Sequence, residues 1–183
     1  IKVERPGAGD DTRHWGPPFT TRADGGRGDA AYFLCANRGK ASLEIDIADP
    51  QGAEAVRRLA ATCDVVVENF KVGGLKKYGL DYETLSKGRP ELVYCSITGF
   101  GQTGPLASEP GYDFLAQAMG GWMAITGVPD GEPMKAGVAL SDVMTGLYAA
   151  IGILAALQSR SVTGKGQLVD LALLDCTIAS LTN

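Results

Sequence analysis

Apolar strand-like runs that alternate with helical segments predict an α/β fold, with a mostly parallel sheet covered by helices on both faces. Three observations carry that prediction. First, Val65-Val66-Val67 and Leu92-Val93-Tyr94-Cys95-Ser96-Ile97 are short apolar runs with no clean polar alternation, as expected of strands buried on both faces. Second, Asp49-Pro50 pairs a good N-cap with proline at the first helical position. Val56, Leu59, Ala60 and Cys63 then recur at helical spacing. Third, 25 of 183 residues are glycine, about twice the usual ~7%. The glycines have no strict period, so they read as tight turns and close backbone approaches between elements.

In chain order, Ile1-Lys2-Val3-Glu4 reads as the end of a strand. Residues 5–30 are rich in Gly, Pro and charge and read as loop. A loop of that length in a compact domain usually has a function. Residues 31–47 contain Tyr32–Leu34 and the alternating Leu43, Ile45 and Ile47, which predict a strand. The helix from Pro50 follows, then the valine strand. A short helix is expected over Asp81–Lys87, then the strand at Leu92–Ile97 and a Gly/Pro-rich loop over 99–111. Helices are expected over Tyr112–Met119 and Asp142–Gln158. Thr163-Gly164-Lys165-Gly166 reads as a turn with Lys165 exposed, and Gln167–Leu173 as a strand. Met119, Trp122 and Met123 read as core. The chain starts abruptly and stops within the apolar Leu173–Leu181 stretch, so it reads as a fragment of a longer protein.

Composition narrows the function classes. Seventeen basic against twenty-one acidic residues give a net charge of −4, which argues against nucleic acid as a partner. The longest apolar run, Leu147–Leu157, has 11 residues. That is short of a bilayer span, so no membrane partner is expected. No signal peptide is visible. Cys35, Cys63, Cys95 and Cys176 contain no C-x-x-C pair and lie in apolar segments. They read as free buried thiols of a reducing compartment, the cytoplasm or a mitochondrial matrix. His14 is the only histidine, which leaves little for a zinc site or a Ser-His-Asp triad. The layout is Rossmann-like, but no G-x-G-x-x-G follows a strand and no P-loop is present. Ligands in such sheets bind at the carboxyl ends of strands, here the loops after Val67 and Ile97.

Seven segments taken together make the chain specific. They are Lys2-Val-Glu-Arg-Pro-Gly-x-Gly-Asp; Asn37-Arg-Gly-Lys with Ser42-Leu; Asp64-Val-Val-Val-Glu-Asn-Phe; Leu92-Val-Tyr-Cys-Ser-Ile-Thr-Gly-Phe-Gly; Pro110-Gly-Tyr-Asp; Gly137-Val-Ala-Leu-Ser-Asp; and Thr163-Gly-Lys-Gly-Gln. In this order they resemble the class III CoA-transferases, whose relatives include the α-methylacyl-CoA racemases. The spelling is most similar to the branch that moves CoA between dicarboxylates, such as succinyl-CoA to glutarate. The resemblance implies that residues 1–183 are a CoA-binding large domain lacking its first strand and the small domain. It also implies an interlocked homodimer for the full-length protein and an inactive fragment. Acyl-CoA and a carboxylic acid would be the substrates, with no permanently bound cofactor and no metal.

The resemblance places the nucleophile at Asp142. The residues make that choice reasonable. Asp142 is expected to open a helix with Val143, Leu147, Ile151 and Leu154 on its apolar face. The positive end of a helix favours an ionised carboxylate by about 0.3–1 kcal/mol. Asp142 would attack the acyl-CoA thioester, forming a mixed anhydride and then an aspartyl-CoA thioester. An ordinary helix-start aspartate is the competing reading. Racemases of the family carry a histidine base at the position of Tyr112. Tyrosine, with pKa ~10, is a poor base at neutral pH, which favours transfer over racemisation. Asp113 is read as a supporting carboxylate, or else as a plain N-cap.

For CoA, the resemblance selects Arg5, Asn69, Phe70 and Lys77, with Lys71, Arg38 and Lys40 expected near the same pocket. Phosphates need cations and backbone N–H groups, and Gly73-Gly74 would let the backbone approach them. Pro110 stands where several relatives have a lysine, which removes one charge contact.

Overall fold

The computed structural model describes residues 1–182 and divides into two compact units, Ile1–Arg58 and Leu59–Asn183. The chain is α/β with parallel strand pairing, as the sequence predicts.

In the first unit, β1 (Lys2–Glu4) pairs in parallel with β4 (Ser42–Glu44). Residues 5–30 are more ordered than a loop. A single 3-10 turn covers Asp11–His14, and β2 (Phe19–Thr21) pairs antiparallel with β3 (Arg27–Ala30). Tyr32–Leu34 is not a strand but part of α1 (Ala31–Asn37). None of its seven residues is β-branched, so nothing local opposes helix. Ile45 and Ile47 lie beyond β4. Polar contacts hold this small unit together. The buried Glu4 carboxylate accepts from the Arg13 guanidinium at 2.8 and 2.9 Å and from Ser42 Oγ at 2.6 Å. The same guanidinium lies 3.9 Å from the centre of the Phe33 ring, a cation–π contact. α2 (Pro50–Ala60) starts where Asp49-Pro50 predicts, with the Gln51 amide donating to Asp49 Oδ1.

In the second unit, β5 (Val65–Glu68), β6 (Val93–Thr98) and β7 (Leu168–Ala172) form one parallel sheet in the order β5-β6-β7. α3 (Tyr82–Gly88) connects β5 to β6. Central β6 forms the heart of the core. Leu92, Val93, Tyr94 and Cys95 are all buried, and the Tyr94 hydroxyl donates to the Leu80 carbonyl at 2.9 Å. β5 is less buried than its valines suggest, because it lies at the end of the strand order; Val67 is 56% exposed.

Three further helices pack in this unit: α4 (Asp113–Gly120), α5 (Leu140–Thr163) and α6 (Leu173–Ala179). α6 has no counterpart in the sequence reading. α5 packs on β6, β7, α4 and α6, begins two residues earlier than expected and runs five residues further. At 24 residues it is long and apolar enough to cross a bilayer by length and composition alone, which the 11-residue run had not suggested.

The apolar stripe of α5 is not the face that packs on the rest of this chain. Val143, Leu147, Ile151 and Leu154 are 54–66% exposed, whereas Ser141, Thr145, Ala149 and Ala156 are buried. Small side chains allow the helix to approach its neighbours closely, and the hydroxyls are satisfied. Thr177 Oγ1 donates to Ser141 Oγ, and Thr145 Oγ1 to the Ser141 carbonyl, both at 2.7 Å. At the far end, Gly164 (φ 73°) closes the helix in the left-handed region.

Candidate active site

The loop after β6 brings the predicted residues to the carboxyl end of the sheet. Gly99 follows β6 and lies against Gly111, which precedes Tyr112 and Asp113. A Cβ on Gly111 would fall 2.1 Å from Gly99 Cα, so only glycine fits this backbone crossing. The crossing sets the start of α4 beside the end of β6.

Tyr112 is the N-cap residue of α4 but makes no side-chain capping bond, and its ring is 72% exposed. Asp113 is the first residue of the helix rather than its cap. One Asp113 oxygen accepts from the Asp142 backbone N–H at 3.2 Å, and the other from Gln117 Nε2 at 2.7 Å. Asp142 is the third residue of α5 and does not open it. Its side chain reaches solvent. Even so, desolvation by the surrounding protein, followed by the Asp113 charge, pushes its pKa above the ordinary carboxylate value. The helix N-terminus was expected to favour the ionised form, whereas desolvation and a like charge act in the opposite direction. The Asp113 carboxylate is thus tied to the main chain of Asp142, and its charge reaches the Asp142 carboxyl.

The family model described as CoA-transferase family III matches residues 1–183. The chain belongs to this family. It is similar to the succinate–glutarate CoA-transferase of Agrobacterium fabrum, with 57% identity over 183 residues, covering 100% of this chain and 46% of that protein. It is also similar to the mouse succinyl-CoA:glutarate CoA-transferase, with 52% identity over 182 residues, covering 100% of this chain and 40% of that one. A crystal structure of a CAIB/BAIF family protein from Brucella suis superposes with a TM-score of 0.95 at 58% identity, covering 100% of this chain and 48% of that chain. The chain thus spans about half the length of the curated relatives it matches.

For a family III chain, the predicted CoA contacts fall in both units. In the second unit, Asn69, Phe70 and Lys71 lie in the turn after β5 and are exposed. The Phe70 N–H donates to Glu68 Oε2 at 2.7 Å. Lys77 belongs to the 3-10 turn Lys76–Tyr78 and stands 4.7 Å over the Tyr78 ring. In the first unit, Arg5 pairs with Asp11 at 3.1 Å on the surface. Arg38 ends α1, and Lys40 Nζ donates to Asn37 Oδ1 at 3.2 Å.

Glu68 lies in the segment that the resemblance assigns to CoA contact, and Gln117 escaped the sequence reading. Glu68 ends β5, and its pKa is raised by burial. Gln117 is fully buried; its signal was a lone amide in the apolar run Phe114-Leu-Ala-Gln-Ala-Met119, one helical turn after Asp113. Two further expectations need correction. Cys35 is exposed, because its strand is a helix with that face outward. Met119 is 49% exposed, whereas the next turn of the chain buries Trp122 in part, with Nε1 donating to Ser180 Oγ at 2.7 Å. Burial pushes the Cys95 thiol up to about 11, so it stays protonated.

Proposed function

We propose that this chain supplies the nucleophile-bearing half of a CoA-transferase. The enzyme would move CoA from a dicarboxylic acyl-CoA such as succinyl-CoA to a dicarboxylate acceptor such as glutarate. The observation that carries this reading is the Asp113 carboxylate bonded to the Asp142 backbone N–H, between the first turns of two helices in a family III chain. The names of similar proteins, succinate–glutarate and succinyl-CoA:glutarate CoA-transferases, support the choice of acids.

Asp142 Oδ attacks the thioester carbonyl carbon, the C–S bond breaks, and CoA leaves as thiolate. The product is a mixed anhydride on Asp142. The thiolate then attacks the aspartyl carbonyl and expels the donor acid, leaving an aspartyl-CoA thioester. The acceptor carboxylate attacks that thioester and regenerates thiolate and anhydride. Thiolate attack at the acceptor's acyl carbon gives the new acyl-CoA and frees Asp142. Thioester energy is retained through every step. In the second unit, Asn69, Phe70, Lys71 and Lys77 are proposed to contact CoA through phosphate charge and adenine contact, and in the first unit Arg5, Arg38 and Lys40 are proposed as separate phosphate contacts.

The test uses the full-length protein turning over succinyl-CoA with hydroxylamine present. A hydroxamate on Asp142, found by mass spectrometry, and loss of transfer by at least about 10³-fold in Asp142→Ala are expected. Retained activity in that variant, or an unmodified Asp142, would overturn the reading. Wash-in of solvent deuterium at the substrate α-carbon without acceptor acid would point to racemisation instead.

A further inference from the structure

Gln117 has no exposed surface, yet it carries the most polar side chain in the interior of α4. Each end of its amide is used. Oε1 accepts from the Ala136 N–H at 2.8 Å, while Nε2 donates to Asp113 Oδ2 at 2.7 Å and to the Val138 carbonyl at 3.3 Å. An N–H on one side and a carboxylate and a carbonyl on the other leave only one amide orientation that satisfies all three. Ala136 and Val138 belong to the segment that leads into α5 at Leu140. One side chain thus fixes both the approach to the Asp142 helix and the direction of the Asp113 carboxylate. The other Asp113 oxygen holds the Asp142 N–H.

We propose that Gln117 is a positioning residue for the Asp113–Asp142 pair, acting through Asp113 on the placement of Asp142. This inference rests on the transferase reading for its kinetic consequence but not for its geometry. Leucine or methionine at this place would leave the Ala136 N–H, the Val138 carbonyl and one Asp113 oxygen without this partner. Retaining a fully buried amide leaves three polar partners that only this amide satisfies, and a buried polar network that is fully satisfied specifies one arrangement. Without the Nε2 donor, Asp113 is free to turn, and the Asp142 amide loses its acceptor.

Two readouts on the full-length protein test the proposal. The first does not need activity. Amide hydrogen exchange at Asp142 should speed up at least about tenfold in Gln117→Leu and in Asp113→Ala, while the Val143 amide, bonded to the Ala139 carbonyl within the helix, stays within about twofold. Unchanged exchange at Asp142 overturns the proposal, and so does an equal rise at both amides. The second is a double-mutant cycle in transfer kinetics. Gln117→Leu should lower kcat about 10–100-fold, with KM for acyl-CoA changed less than about threefold. In an Asp113→Asn background, the same change should cost less than about threefold more. Multiplicative losses would assign Gln117 to packing and refute the proposal. Gln117→Glu keeps the acceptor for Ala136 and loses the donor to Asp113, so it repeats both readouts if the leucine variant does not fold. A wild type without transfer or an Asp142 adduct would sink the transferase reading alone, because amide exchange still decides the role of Gln117.

Discussion

The Asp142 backbone N–H donates to the Asp113 carboxylate at 3.2 Å, across 29 residues of sequence and between the first turns of two helices. The contact puts the main chain of one aspartate under the charge of the other. That charge adds to the desolvation that raises the Asp142 pKa despite its place in the first turn of a helix. Desolvation disfavours its charge, and Asp113 adds repulsion.

The raised Asp142 pKa has a consequence for stability. A carboxyl whose folded pKa exceeds its unfolded value of ~3.9 favours folding only while it is protonated. That contribution is full below the unfolded pKa and is lost as pH rises through the folded one. At neutral pH the ionised group works against the fold. Asp142→Asn should therefore raise Tm at pH 7, and the gain should shrink towards zero as pH falls to about 4. Calorimetric scans across that range check it, and a variant less stable than wild type at pH 7 contradicts it.

Glu4 behaves in the opposite sense. Its hydrogen bonds from Arg13, with help from Ser42 and the Asp10 amide, hold its pKa down at about 2 against the cost of burial. A depressed carboxyl contributes stability above its unfolded value of ~4.3, and that stability disappears as pH falls through the folded value. Glu4→Gln leaves Arg13 short of a partner and should cost about 3 kcal/mol at pH 7. Urea unfolding should show this cost narrowing between pH ~4.3 and about 2, and a constant difference would refute the assignment.

The Gly99–Gly111 crossing allows no side chain on either strand of backbone. Gly111→Ala should lose about 3 kcal/mol, because backbone cannot give way as a flexible side chain can. It should also displace Tyr112 and Asp113. Denaturant midpoints measure the first effect and transfer activity the second. A variant with wild-type values for both would show that the crossing is not tight.

The exposed stripe of α5, with Val143, Leu147, Ile151 and Leu154 all more than half exposed, is a large apolar face for one helix. The chain of residues 1–183 by itself should bind the dye ANS strongly. Leu147→Glu with Ile151→Glu should reduce that signal at least about twofold without lowering Tm. Unchanged dye binding would place the apolar surface elsewhere.

Much of the layout was legible in the residues because its signals are local. Asp49-Pro50 marks a helix start through capping and a fixed φ. The valines of β5 mark a strand through their branching, even where the strand is not fully buried. Motif spelling singled out Asp142, Asp113 and Tyr112 by position. Residue patterns misled where the local signals for strand, helix and turn are weak. Tyr32–Leu34 has strand-like residues but folds as a helix, and residues 5–30 conceal a hairpin among turn-formers.

The helix from Pro50, the strands of the three-stranded sheet and the candidate aspartate in a helix's first turn follow from the amino-acid sequence, since capping, branching and turn chemistry act over a few residues. Which face of α5 is buried does not, because that depends on how close its neighbours come. Packing selects the small residues Ser141, Thr145, Ala149 and Ala156 over the larger aliphatics. The pairing of Asp113 with Asp142, its brace at Gln117 and the upward shift of the Asp142 pKa arise in the same way. Each needs groups from separate segments brought within hydrogen-bonding or Coulombic reach, and only the packed helices do that.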